Sequence, residues 1–174
     1  MNIWHDMARD RIGENEFTAV IEIEMGSKAK YELDKTTGML ILDRVLSTST
    51  QYPASYGFIP RTLSEDNDPL DVLVLCSEKI HTMSLVECYP IAVIKMIDGG
   101  ENDEKIVAIA KSDKRMNSYK KLSELPKHIF DEMMHFFQVY KALENKVTEI
   151  TGVFDETEAK KIIREAIERY SEKY

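Results

Sequence analysis

The clearest patterning is in the first two thirds of the chain, where short stretches alternate with a period of two. In residues 16–25, Phe17, Ala19, Ile21, Ile23 and Met25 share one face, with Glu22 and Glu24 on the other, as a strand requires. Residues 30–34 alternate too, placing Lys30, Glu32 and Asp34 together, and Lys35-Thr36-Thr37-Gly38 reads as a hairpin turn into a strand at 39–46. A proline-punctuated aromatic segment follows at 52–60, then an acidic loop that runs into the all-apolar stretch Val72–Cys76. Strands are expected at 84–97 and 105–111, joined by an acidic loop over 98–103.

The last third changes period. After Pro126, which suits a first helical turn, Ile129, Phe130, Met133, Met134, Phe137 and Tyr140 fall at near-helical spacing. His135 and Phe136 lie off that stripe and are expected to face a neighbour or solvent. Over 155–170, Ala159, Ile162, Ile163, Ala166, Ile167 and Tyr170 form a second stripe, and Asp155 with Glu158 resembles a capping box. Both stripes are core or interface faces. The pattern predicts one β-rich α+β domain over 1–174 with two main C-terminal helices. Many short strands without βα alternation favour a small barrel over a doubly wound sheet.

Charge narrows the function classes. With 23 Lys+Arg against 31 Asp+Glu, the net charge is −8. A generic nucleic-acid binder needs net basic surface to displace counterions. Cys76 and Cys88 have neither CxxC spacing nor a His partner and read as reduced thiols in strands. The N-terminal residues contain no apolar h-region, and the longest apolar run falls far short of a membrane span, so a soluble, cytoplasmic protein is expected.

The chemistry concentrates in Glu65-Asp66-Asn67-Asp68-Pro69-Leu70-Asp71, three aspartates within six residues directly before a buried strand. Hard oxygen ligands packed this way suit Mg²⁺, Mn²⁺ or Ca²⁺ rather than zinc. An EF-hand fails on spacing: with Asp66 first, Leu70 falls at the fifth position, Asp71 where Gly is required and Ser77 where the bidentate Glu belongs. A second acidic loop carries Asp98, Glu101, Asp103 and Glu104 and could complete a multi-metal site of the kind that clamps attacking and leaving oxygens in phosphoryl displacement. Lys30, Arg44, Lys95, Lys105 and Lys141, with Tyr52, Tyr56 and Tyr140, supply the cations and phenolic hydroxyls that an anionic phosphate needs. Spacing and composition thus point to a metal-dependent enzyme acting on a phosphate.

These residues also form an ordered series. The run from Glu65 to Val74 matches the signature D-x-D-P-x-D-V. Glu22, Lys30 with Glu32, Arg44, Tyr52-Pro53, Tyr56-Gly57, Lys95 with Asp98, Asp103 with Lys105, and Phe136-Phe137 with Tyr140-Lys141 accompany it in order. From about Thr18 to Thr151 the chain resembles the soluble family I inorganic pyrophosphatases, of the bacterial and archaeal type. The resemblance implies a distorted OB-like five-stranded β-barrel and Mg²⁺-dependent hydrolysis of pyrophosphate to two orthophosphates, with Mn²⁺ as a possible substitute. By the same likeness, Asp66, Asp71 and Asp103 are ligands of a tight metal site, Asp98 and Glu22 ligands of further metals, and Asp68 the group that orients and deprotonates the attacking water. Lys30, Arg44, Tyr56, Tyr140 and Lys141 correspond to pyrophosphate ligands; Glu32, Tyr52 and Lys105 support them. A homo-oligomer is expected, a hexamer by likeness to bacterial members, and neither nucleic acid nor membrane as partner. The rival reading is an OB-type oligonucleotide-binding module without catalysis, which needs aromatics over a basic groove.

Asn67 stands where the family commonly has Gly, and Asn is among the residues that best tolerate left-handed backbone. Gly99 replaces an accessory carboxylate, and Glu24 a proline.

Overall fold

A computed structural model describes residues 2–174. In chain order its main elements are α1 (Ile3–Asp6), β1 (Phe17–Ile23), β2 (Ala29–Leu33), β3 (Leu40–Val45), β4 (Ser55–Ile59), β5 (Leu70–Leu75), β6 (Leu85–Asp98), β7 (Glu101–Ala110), α2 (Lys127–Val139), β8 (Thr148–Asp155) and α3 (Glu156–Lys173). Five strands close on themselves in the order β1-β4-β5-β7-β6, with β6 returning to β1. This is the small OB-like barrel with two C-terminal helices that the sequence predicts. Among the described residues, no helix is long and apolar enough to cross a membrane.

The ring is antiparallel except where β5 runs parallel to β7. Both faces of its central strands are covered, so their sequences are continuously apolar. In β5, Leu73 and Leu75 join the cluster under α2, around Ile94, Met96, Phe130 and Phe137. Val72 and Val74 join the cluster under α3, around Val93, Ile106, Ile162 and Ile163. The same double cover explains β1, in which every residue is buried, Glu22 included.

Several local expectations change. The segment 98–103 is not a loop. β6 and β7 run on through it, with Asp98 opposite Glu101 and a two-residue turn at Gly99 and Gly100, φ +59° and +88°. Glycine suits both positions of a turn whose two central residues need positive φ. β8, which the alternation did not reveal, extends the sheet beyond β6. Asp155 caps α3 by accepting N–H bonds from Thr157 and Glu158 (3.1 and 3.2 Å). Glu158 does not complete a capping box; its carboxylate pairs with Lys95 at 2.6 Å. Pro126 sits one residue earlier than expected, at the N-cap of α2. Phe136 does not face outward: it is buried, 4.8 Å from the Tyr52 ring and 5.1 Å from those of Phe137 and Tyr140. Only His135 of that pair is exposed.

One close approach holds the ring shut. Gly57 in β4 lies opposite Ile21 in β1, and a Cβ there would overlap the Val20 carbonyl. Gly57→Ala is therefore expected to push β1 and β4 apart and to cost about 3 kcal/mol or more in urea unfolding, the upper range for overpacking. An alanine variant within about 0.5 kcal/mol of wild type, the ordinary scatter of a neutral surface change, would show that the strands move apart freely.

Candidate active site

At one end of the barrel lies a cleft of about 190 Å³. β1 contributes Glu22, β2 contributes Lys30 and Glu32, and the turn after β2 contributes Lys35. Tyr52 precedes β4 and Tyr56 lies within it; Asp66 and Asp68 come from the loop before β5, and Asp71 from β5 itself. Asp98 ends β6, Asp103 and Lys105 lie on β7, and Tyr140 and Lys141 close α2. Every site residue that the family resemblance implies lines this cleft except Arg44; Lys95, read as a candidate cation, does not line it either.

Strand register explains the convergence. The parallel pairing sets Asp71 opposite Lys105, and the two-residue repeat keeps Asp103 on the same face as Lys105. The acidic loop is held by its own polar groups. Asp66 Oδ1 accepts the Asp68 N–H at 3.0 Å, Ser64 N–H donates to the Asp68 carbonyl at 2.7 Å, and Asn67 takes φ +69°. The left-handed turn survives with Asn in place of Gly.

Lys105 is the electrostatic centre. It is buried and donates to Asp71 Oδ2 at 2.5 Å and Asp103 Oδ1 at 2.7 Å. Burial alone would lower its pKa, but Asp71, Tyr56 and Asp103 together hold it well above the usual lysine value. Glu22, buried and accepting the Leu33 N–H at 2.7 Å, is pushed up to about 8 by burial and then by Asp71. Burial also raises Asp71. Tyr52, Tyr56 and Tyr140 are all raised, by burial first, and so remain protonated donors at neutral pH. Elsewhere in the cleft Lys30 pairs with Glu32 and Asp43, Lys35 with Asp68, and Lys141 with Asp98.

Among the described residues, no three carboxylate, imidazole or thiol groups are closed round one point. Most cleft carboxylates pair with lysines instead, while Asp66 and Glu22 accept backbone N–H groups. The donor set nevertheless fits hard divalent cations. Asp66, Asp68, Asp71, Asp98, Asp103 and Glu22 offer only carboxylate oxygens, without a His or Cys among them.

Three residues depart from the sequence reading. Arg44 does not line the cleft, and its guanidinium is bonded to Asp43 and Glu144. Lys95 faces away from the site, toward Glu158 and the Phe154 ring. Lys35, which the sequence reading passed over as a turn residue, stands at the cleft mouth with its ammonium 5.8 Å from the Trp4 ring.

Oxygen ligands, buried cations and protonated phenols around one cleft on an OB-like barrel define a cation-assisted enzyme acting on phosphate. The family model described as inorganic pyrophosphatase matches residues 19–171. Soluble inorganic pyrophosphatase 2 of Chlamydomonas reinhardtii is 42% identical, over 98% of this chain and 89% of that protein. The soluble inorganic pyrophosphatase of Zea mays is 43% identical, over 97% of this chain and 79% of its own. The inorganic pyrophosphatase structures from Thermus thermophilus and Helicobacter pylori superpose with TM-scores of 0.93 and 0.91, at 36% and 38% identity. They cover 98% and 96% of this chain and 99% of each of theirs. The chain belongs to the inorganic pyrophosphatase family, and membership implies a divalent metal cofactor.

The raised pKa of Glu22 has a sign that can be tested. The folded chain binds this proton more tightly than the unfolded chain, so in metal-free protein stability falls as pH rises from the ordinary carboxyl value toward 8. Glu22→Gln keeps an oxygen for the Leu33 N–H and removes the charge. It is expected to raise the Tm of metal-free protein at pH 8 and to change it little at pH 4. Calorimetric scans at both pH values check this; a lower Tm for the variant at pH 8 would contradict it.

Proposed function

We propose that this chain is an inorganic diphosphatase of the bacterial and archaeal type that uses Mg²⁺, with Mn²⁺ as a substitute, to hydrolyse pyrophosphate to two orthophosphates. The observation that carries this reading is the convergence of a carboxylate set with Lys30, Lys105, Lys141 and three protonated tyrosines on one cleft. The bacterial type is favoured by the superposition on the Thermus and Helicobacter structures, with TM-scores of 0.93 and 0.91.

In this reading Asp66, Asp71 and Asp103, with Asp98 and Glu22, would hold the cations, which when bound supply an acidified water and neutralise phosphate charge. Asp68 orients the attacking water and takes its proton. The water oxygen bonds to one phosphorus, and the bridging P–O bond breaks with its electron pair going to the departing phosphate. Lys30, Arg44, Tyr56, Tyr140 and Lys141 donate to the phosphate oxygens where charge builds. Glu32 steadies Lys30, Tyr52 packs behind Tyr56, and Lys105 holds Asp71 and Asp103. An OB-type oligonucleotide module is the weaker reading, since these carboxylates would repel a phosphodiester backbone.

The same proposal places the protein in the cytoplasm as a homo-oligomer, a hexamer by family likeness. Met39, Ile41, Leu42 and Val45 are each more than half exposed on one hairpin, the apolar exposure that subunit contact removes. Light scattering is expected to show an assembly, and a monomer across micromolar concentrations would refute it.

Phosphate release with and without Mg²⁺ tests the activity, and two variants test the roles. Asp71 is anchored in β5, whereas Asp68 precedes Pro69 in a loop and is turned by it toward extended geometry. Asp71→Asn is expected to weaken metal binding, with part of the rate recovered by excess Mg²⁺. Asp68→Asn is expected to bind metal normally and to stay slow at any Mg²⁺ concentration, by about 10²–10⁴-fold as for loss of a general base. Rescue of Asp68→Asn by Mg²⁺, or unchanged metal affinity in Asp71→Asn, would reverse the assignment.

A further inference from the structure

Arg44 is an anomaly in the site. It is paired with Lys30 in the β2–β3 register, yet it does not line the cleft. Its guanidinium is held from two sides. Nη1 donates to Asp43 Oδ2 at 2.6 Å, and Nε donates to Glu144 Oε1 at 3.1 Å. The third nitrogen, Nη2, is buried without a hydrogen-bond partner, the one such side-chain atom among the described residues. A buried donor left unmatched is costly and rare. The register partner of Arg44, Lys30, and, beside Glu144 in the chain, Tyr140 and Lys141 all line the cleft.

Glu144 comes from a different part of the chain. It ends the short 3₁₀ turn Ala142–Glu144, directly after Tyr140 and Lys141, and is 100 residues from Arg44. Its carboxylate is only 20% exposed and also accepts from Ser47 Oγ at 3.4 Å. The turn is closed by Asn145 in left-handed geometry. One carboxylate therefore ties the β2–β3 hairpin to the segment that carries Tyr140 and Lys141.

Resting on the reading of the cleft as a pyrophosphate site, we infer that Glu144 is a positioning residue for Arg44. It fixes Nε so that Nη2 stays free for a phosphate oxygen, and it sets the spacing between the hairpin and the end of α2. A guanidinium presents five donors in a fixed planar fork, so pinning Nε and Nη1 also fixes where Nη2 points, whereas the three donors of a lysine rotate about one point charge. Holding the fork before substrate arrives spares the ordering cost at binding.

Steady-state phosphate release with Mg²⁺-pyrophosphate tests this on wild type, Glu144→Ala, Glu144→Gln, Arg44→Ala and the double variant Arg44→Ala/Glu144→Ala. Glu144→Ala is expected to raise KM about tenfold, the scale of one charge-assisted hydrogen bond, with kcat changed much less. Glu144→Gln keeps an oxygen for Nε–H and should restore most of the loss. In the Arg44→Ala background the same alanine should add almost nothing, because its target is gone. Unchanged Tm and resting metal affinity identify variants that are folded; should Glu144→Ala not fold, Glu144→Gln against Glu144→Leu in the same cycle reads the same coupling. A KM within twofold of wild type, an equal effect in the Arg44→Ala background, or equal losses for Gln and Ala would each overturn the inference while leaving the activity standing. Wild-type protein that releases no phosphate would instead overturn the activity and, with it, this assignment.

Discussion

The ion triad of Lys105 with Asp71 and Asp103 is the interaction on which the site depends. A lysine at 4% exposure carries a large desolvation cost, and two carboxylates within 2.7 Å offset it. Such buried clusters rarely add net stability over an apolar replacement. What this one supplies is placement. The three charges sit on adjacent parallel strands, so the register of β5 on β7 fixes where both carboxylate oxygens lie. Burial first raises Glu22 and the hydroxyls of Tyr56 and Tyr140, and the negative charge of Asp71 adds to it.

The two walls of the cleft are built differently. One is the closed ring, covered on both faces and locked where Gly57 passes the Val20 carbonyl. The other is the β2–β3 hairpin, which belongs to no larger sheet and carries Lys30 and Arg44. That hairpin is held at discrete points: the Leu33 N–H on Glu22, Arg44 on Glu144, and the Asn2 amide donating to the Lys35 carbonyl at 2.7 Å. Carboxylates thus sit mostly on the rigid wall, and the cations Lys30, Lys35 and Arg44 on the tethered one.

This division also accounts for how a chain of net charge −8 can hold a polyanion. Each cleft lysine is matched to a carboxylate, and further carboxylates are left over, so the site by itself is acidic. Divalent cations on the carboxylate oxygens would reverse the local sign and leave the lysines to face phosphate. Net charge describes solubility and long-range steering, whereas binding is decided by the few groups inside the cleft.

Much of this was legible in the sequence wherever the cause is local. Three aspartates in six residues before an apolar run announce hard-cation chemistry without a fold. Asn67 in a left-handed turn, the Phe130–Met133–Phe137–Tyr140 stripe and the Asp155 cap are likewise set by neighbours a few residues apart. What failed depends on distant partners. Lys95 and Asp98 looked like one group, but they are three apart on a strand, so alternation sends them to opposite faces once β6 is seen to run through both. Phe136 is off the helical stripe and is buried where Tyr52, 84 residues away, packs on it. β8 carries weak alternation and becomes a strand because β6 offers it an open edge. Lys35 and Arg44 were both visible as cations, but whether a cation lines the cleft or is bonded outside it depends on hairpin register and on Glu144 across the fold. Local spacing sets the chemistry that a segment can perform. Only pairing between segments far apart in the chain sets which groups meet, because the hydrogen bonds and burial that choose those pairs do not exist until the barrel has closed.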